Sequence, residues 1–231
     1  MNPTIAIVIP TIGRPTLQRT LDSIRGQDLI DGDRVIVALD TFQEPPRPDV
    51  RELVEGYGRP FELLEHDGGD HWQGMPQLNR AIAEVAFGQV SVGNSSVSKV
   101  DYTHNRTDFL CDLGDDDSYT IGAIAKIRSA LSCHEPADWN KIVLLFQFIY
   151  PGPSRERLWR PGDPTLRVGN ISGCCMVVPV DGIILAPPDH EGISDFWWIE
   201  RNCAGREIIW MDDVCIVARP DAMTEKRWPT R

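Results

Sequence analysis

The sequence predicts an α/β protein, a three-layer α/β/α sandwich around a mostly parallel central sheet. Three observations predict it. The runs IAIVIP and RVIVALD are continuously apolar and rich in β-branched residues, as strands buried on both faces are. Segments with apolar residues at helical spacing alternate with these runs through the first half of the chain. Three polar clusters, at residues 11–14, 40–41 and 115–117, directly follow predicted strands. Ligands of open parallel sheets bind at those strand ends.

The first run spans residues 5–10 and reads as a buried strand, followed by a turn punctuated by Gly13 and Pro15. Residues 16–27 read as a helix, with Leu17, Leu21 and Ile24 on one face. A second buried strand, 34–40, ends in Asp40, and the proline-rich stretch 42–48 is a loop. A short helix over 50–57 and a third strand over 61–65 precede the glycine-rich loop HDGGDHWQG. Residues 75–87 are expected to be helical, with Leu78, Ile82 and Val85 aligned, and 89–106 to form a loop or small hairpin. DFLCDL is a strand feeding the run Asp115, Asp116, Asp117, and Ser118 or Thr120 is expected to cap a helix reaching about residue 132. Strands follow at 141–150 and 172–180. The segment DFWWIERNCAG is a helix closed by Gly205, and IIWMDDVCIVAR reads as short strands. No linker or repeat is visible, so residues 1–231 are expected to form one domain. Residues 1–117 would make one half, 118–219 the other, and 220–231 a frayed tail.

Composition narrows the function. The chain has 231 residues, 42% of them hydrophobic, and a formal charge of −11. That balance argues against gripping nucleic acid through bulk charge and suits recruitment of a divalent cation. Six cysteines without a CxxC pair argue against a zinc ribbon. No segment reads as a signal peptide or membrane span, so a cytoplasmic protein with reduced thiols and no integral membrane segment is expected. Three N-x-S/T triplets, at Asn94, Asn105 and Asn170, are then chance matches.

Three consecutive carboxylates repel one another unless water, a cation or helix dipoles offset the charge. Mg²⁺ or Mn²⁺ takes one or two carboxylates together with phosphate oxygens and water. At a strand end Asp115 and Asp117 face one side and Asp116 the other, unless the chain bends there. A solvated turn before a helix N-terminus would show the same acids.

The order IAIVIPTIGRPTLQRTLDSIRGQ, RVIVALD, GMPQLNRAIAEV, FLCDLGDDD resembles the nucleotide-diphospho-sugar glycosyltransferases of the Rossmann-like GT-A fold. It is closest to the large inverting family 2 of bacterial glycosyltransferases. The resemblance covers residues 4–132 well and continues more weakly to about 219. It implies a metal-dependent enzyme that moves a sugar from a nucleotide-diphosphate donor to an acceptor hydroxyl. Pro10, Thr11 and Arg14 would border the base and diphosphate, Asp40 the base or ribose, and Asn79 the base. The acidic run would be the D-x-D motif, with Asp115 and Asp116 toward the nucleotide and Asp117 and Asp115 toward Mn²⁺ or Mg²⁺. Asp195 would be the general base, at the second position of the family's E-D pair.

Two departures stand out: Gly114 replaces the first acid of the L-D-x-D-D pattern, which leaves the metal to Asp115 with Asp117 or to Asp116 alone, and Ser194 replaces the glutamate before Asp195. Ala218 lies where some relatives carry a histidine, and His190 is the alternative third ligand. A carboxylate at a helix N-terminus is ordinarily a weak base, which desolvation by Phe196, Trp197 and Trp198 would offset. Of the two tryptophans, one is expected in the core and the other free to line an acceptor. Cys174 and Cys175 read as core residues, and Arg155, Arg157 and Arg160 as a solvated patch or a phosphate contact. Two other functions compete. A nucleotidyltransferase is disfavoured because the PTIGRP turn lacks the glycine-rich loop expected there. A degenerate nucleotide-sugar-binding domain is kept open by Gly114 and Ser194. The acceptor would be a glycan, a small molecule or, less readily given the acidity, a modified DNA base.

Overall fold

Parity along the strands sorts the core into two layers. In the computed structural model, described for residues 1–41, 49–66, 75–87, 107–149, 164–168, 171–185 and 194–220, five helices and eight strands are described. Ile5, Ile7 and Ile9 of β1 (Ile5–Thr11) pack on one face of the sheet, and Ala6 and Val8 on the other. β2 (Arg34–Asp40) and β4 (Phe109–Asp112) alternate in the same way. The first face is covered by α1 (Leu17–Arg25), α2 (Asp49–Tyr57) and α4 (Ala123–Leu131). The second is covered by α3 (Met75–Phe87) and α5 (Ser194–Cys203). Burying one Ile or Leu side chain contributes about 1.5–3 kcal/mol, so this double alternation is what makes a three-layer fold stable.

With β3 (Phe61–His66), β5 (Ser118–Tyr119), β6 (Ile142–Ile149), β7 (Met176–Pro179) and β8 (Glu207–Val217), one sheet runs β3-β2-β1-β4-β7-β6-β8-β5. Pairs β1–β2, β2–β3, β1–β4 and β6–β8 are parallel; β7 is antiparallel to β4 and β6, and β5 to β8. The expected α/β/α sandwich with a mostly parallel sheet is therefore observed.

Three local expectations are corrected. Ser118 and Thr120 do not cap α4: Ser118 and Tyr119 pair with β8, and the Thr120 hydroxyl donates to the Val214 carbonyl at 2.9 Å. The helix begins only after Gly122, whose φ of 71° makes the turn. The run 172–180 is divided, with a 3-10 turn over Gly173–Cys175 before β7. The C-terminal segment is one long strand rather than several. Register shifts against Phe146–Phe148 leave Asp212 and Asp213 exposed in mid-strand, which is why its pattern reads as broken.

No helix among the described residues is long and apolar enough to cross a membrane. All six cysteines are free thiols; Cys174 and Cys175 are buried, as expected of core residues.

Candidate functional site

β1, β2 and β4 run parallel, with Thr11 opposite Leu39 and Val8 opposite Asp112. Thr11, Asp40 and the turn after β4 therefore emerge along one rim, at the carboxyl ends of the strands. The turn is short: the Leu113 amide donates to the Val8 carbonyl at 2.9 Å, and the Asp117 amide to the Gly114 carbonyl at 3.1 Å.

The acids sit in a network drawn from α1 and from the end of β8. The Thr11 hydroxyl donates to Asp115 Oδ2 at 2.6 Å and accepts the Gly13 amide at 2.9 Å. Arg14 Nη1 donates to Asp115 Oδ1 at 3.0 Å and reaches Asp116 Oδ2 at 3.4 Å. From the other side Arg219 Nε lies 3.3 Å from Asp116 Oδ2, and the Arg219 amide donates to Asp117 Oδ1 at 3.0 Å. Arg219 has φ 44°, left-handed backbone that costs an ordinary residue about 1–2 kcal/mol; here it turns both groups toward the acids. Arg19 and Thr20 of α1 hold the carbonyls of Asp116 and Asp117 at 2.8 and 2.6 Å.

Burial and mutual repulsion set the electrostatics. Asp115 and Asp117 are 4% and 7% exposed, while Asp116 is half-buried. Burial pushes the Asp117 carboxyl up to about 6, with the Asp116 charge adding to the effect. Burial raises Asp115 too, opposed by Arg14 and the Thr11 hydroxyl.

Each Asp115 oxygen already accepts a hydrogen bond, from the Thr11 hydroxyl or from Arg14, whereas Asp116 Oδ1 and Asp117 Oδ2 accept none among the described residues. A Cβ built on Gly114 would lie 2.8 Å from Asp117 Oδ2 and 3.2 Å from Asp116 Oδ1. Those two oxygens converge on the space that a side chain at 114 would fill. Two hard oxygen donors at one point fit Mg²⁺ or Mn²⁺. Among the described residues no group of three or more His, Cys, Asp or Glu could hold a metal. Phosphate oxygens and water would have to complete such a site.

Asp195 opens α5, and its Oδ2 accepts the Gly173 amide at 3.2 Å. Trp198 is fully buried and donates from Nε1 to the Ile184 carbonyl at 2.8 Å, whereas Trp197 is exposed, as one of the pair was expected to be. Pro10 is half-buried, Asp40 is buried at the end of β2, and Asn79 lies half-buried in α3. His71, Trp72, Arg155, Arg157, Arg160, His190 and the tail 221–231 lie outside the described residues.

Sequence reasoning missed Asp112 and Arg219. Asp112 could have been found as an acid alternating with Leu110 inside an apolar strand. Arg219 gave no such signal, because its contacts depend on how β8 ends. Size alone does not identify the site either. A cleft of about 670 Å³ lies at the opposite strand ends around Arg34 and Pro60, where Arg34 is already paired with Glu62 at 2.7 Å. A hollow of about 460 Å³ lies beside Arg14, between α1 and α2.

No protein-family profile matches the chain, and no curated protein is recognisably similar to it in sequence. Solved structures are similar in fold. S. aureus TarS 1-349 in complex with UDP-GlcNAc matches with TM-score 0.65 and 15% identity, over 94% of this chain and 58% of that one. The mannosyltransferase PcManGT from Pyrobaculum calidifontis, in complex with GDP-Man and Mn2+, matches with TM-score 0.60 and 17% identity, over 93% of this chain and 56% of that one. Full TarS matches with TM-score 0.63 and 13% identity, and the chain spans 36% of its length. The chain thus spans little more than half, or less, of these neighbours. What it shares with them is the GT-A fold, built on the alternating strands and helices from which the rim acids emerge.

Proposed function

We propose that this chain is a glycosyltransferase that moves a sugar, with inversion, from a nucleoside-diphosphate donor to an acceptor hydroxyl, using Mn²⁺ or Mg²⁺. One observation carries the reading: Asp116 Oδ1 and Asp117 Oδ2 converge over Gly114, flanked by the guanidinium of Arg14. Neighbours of the same fold are complexed with UDP-GlcNAc, or with GDP-Man and Mn2+, which supports a donor of that class here.

Pro10, Thr11, Asp40 and Asn79 would receive the nucleoside at the rim. Arg14 and Arg219 would exchange part of their pairing with Asp116 for the diphosphate oxygens, which the planar guanidinium suits. A divalent ion on Asp116 and Asp117 would supply Lewis-acid stabilisation of the departing diphosphate. An acceptor hydroxyl ionises far above neutral pH, so it needs a positioned base, and Asp195 takes that role. Direct displacement, with the base and leaving group on opposite faces of the sugar, inverts the anomeric centre.

A nucleotide-binding domain without catalysis is the second reading. It is favoured by the bracketing of Asp116 between Arg14 and Arg219, which a bound cation must loosen. Thermal unfolding with UDP or GDP, with and without Mn²⁺, tests binding, since a ligand of the native state raises Tm. Release of nucleoside diphosphate from UDP-GlcNAc or GDP-mannose then separates the enzyme from the binder, and release of pyrophosphate from a nucleoside triphosphate and a sugar 1-phosphate would point to nucleotidyl transfer. Asp195→Asn is expected to keep the nucleotide-induced Tm shift and to lower turnover at least about 10²-fold, the scale of a general base. Undiminished turnover would remove Asp195 from the mechanism.

A further inference from the structure

Asp112 is the acid that the proposed reaction leaves without a role. It ends β4, and parity puts it on the same sheet face as Leu110, the face that α5 covers. Its Oδ1 is shielded from solvent and has no hydrogen-bond partner among the described residues. Its Oδ2 points to a notch at Gly173. A Cβ built on Gly173 would stand 3.4 Å from Asp112 Oδ2 and 3.4 Å from both Cγ and Oδ2 of Asp195. The two carboxyl groups therefore border one small space, which exists because residue 173 has no side chain. Asp195 is held there by the Gly173 amide at 3.2 Å.

We propose that Asp112 is a positioning residue for the base: Asp112 and Asp195 share the Gly173 notch and gain and lose protons as one unit. The inference deepens the assigned reaction and rests on it for the role of Asp195. During transfer the acceptor O–H bond breaks and its electron pair forms the bond to the anomeric carbon. The bond from that carbon to the diphosphate oxygen breaks with its own pair. The proton goes to Asp195 and stays within the pair until solvent takes it after product leaves. A base made of two crowded carboxyls keeps its proton affinity nearer neutral pH than a lone carboxylate, and so suits this task better.

The surroundings agree. Burial first, then the charges of Asp195 and Asp117, raise Asp112 well above the ordinary carboxylate range. The charges of Asp195, on α5, and of Asp117, in the turn beyond the strand, act on it, while β1 sets Val8 against it and the 3-10 turn offers the Gly173 backbone. Among the described residues no Lys, Arg or His forms an ion pair with Asp112.

The test uses the full chain in EDTA, with urea unfolding between pH 4 and 8 for the wild type, Asp112→Asn, Asp195→Asn and the double variant. A proton held by the native state alone changes the folding equilibrium constant about tenfold per pH unit. The wild type should lose stability with rising pH more steeply than Asp112→Asn. Asp195→Asn should remove much of the same excess, and the double variant should be no flatter than Asp112→Asn. Independent, additive effects of the two substitutions would overturn the proposal. Should Asp112→Asn not fold, Gly173→Ala keeps both acids and fills the notch. It should move the pH dependence upward, and an unmoved profile would overturn the proposal equally. In nucleotide-sugar hydrolysis, with UDP-GlcNAc or GDP-mannose, Asp112→Asn should shift the acid limb of kcat/KM to lower pH by about a unit. No hydrolysis by the wild type would defeat the assigned reaction, whereas hydrolysis with an unmoved limb would defeat the pair alone.

Discussion

Replacing Asp117 by asparagine should stabilise the metal-free protein at neutral pH. The carboxyl is 7% exposed, and burial with the Asp116 charge lifts it to about 6 from the ordinary 3.8. The folded state thus holds this proton more tightly than the unfolded chain does. Its contribution to stability is complete below about pH 4 and is lost as pH rises through about 6. The gap between the two values corresponds to about 3 kcal/mol. Asparagine removes the charge yet keeps an oxygen for the Arg219 amide, which lies 3.0 Å from Asp117 Oδ1. In EDTA, urea unfolding should find Asp117→Asn about 2–3 kcal/mol more stable than the wild type at pH 7.5, and equal to it at pH 4. With Mn²⁺ and UDP the order should reverse, because only the wild type gains from the ion. If Asp117→Asn proves less stable in EDTA at pH 7.5, the desolvation argument is refuted and the neighbouring arginines dominate.

Gly114→Ala puts a methyl 2.8 Å from Asp117 Oδ2 and 3.2 Å from Asp116 Oδ1. The carboxylates can swing aside, so the fold should survive within about 1 kcal/mol while Mn²⁺-dependent nucleotide binding, read by calorimetry, falls at least about tenfold. Arg128→Ala should cost about 3–5 kcal/mol, measured by urea unfolding. It strands Asp33, 5% exposed and paired with Arg128 at 2.6 Å, and frees the Pro3 carbonyl that Arg128 also holds. Activity per folded molecule should be unchanged.

Much of the fold was legible because its strands are uninterrupted and its first helices are plainly amphipathic. The second strand over 34–40 and the helix over 75–87 fall where the spacing puts them. The rim also followed from the sequence: topology brings Thr11, Asp40 and residues 115–117 to one edge, whatever the loops do. What stayed hidden depended on long-range pairing. Ser118 and Thr120 look like helix caps, but β8 claims them, 94 residues away in the case of Thr120. Which acid oxygens are left without a partner depended on Thr11 and Arg14 bonding to Asp115. No spacing rule contains that competition. Asp112 was visible as a letter, but its meaning required Gly173, which lies on a different turn.

The two-residue strand β5 has a mechanical consequence. The acidic turn is anchored at its start by β4, in the half of the sheet that carries β1, and just beyond its end by β5 hydrogen-bonded to β8. Tyr119 bolts the join from below, its hydroxyl 3.3 Å from Cys111 Sγ. The oxygens proposed to hold the cation therefore ride on a bridge between a central strand and the edge of the sheet. Disturbance at the C-terminal end of β8, far along the chain from Thr11, should travel to the acidic turn through β5 as well as through Arg219.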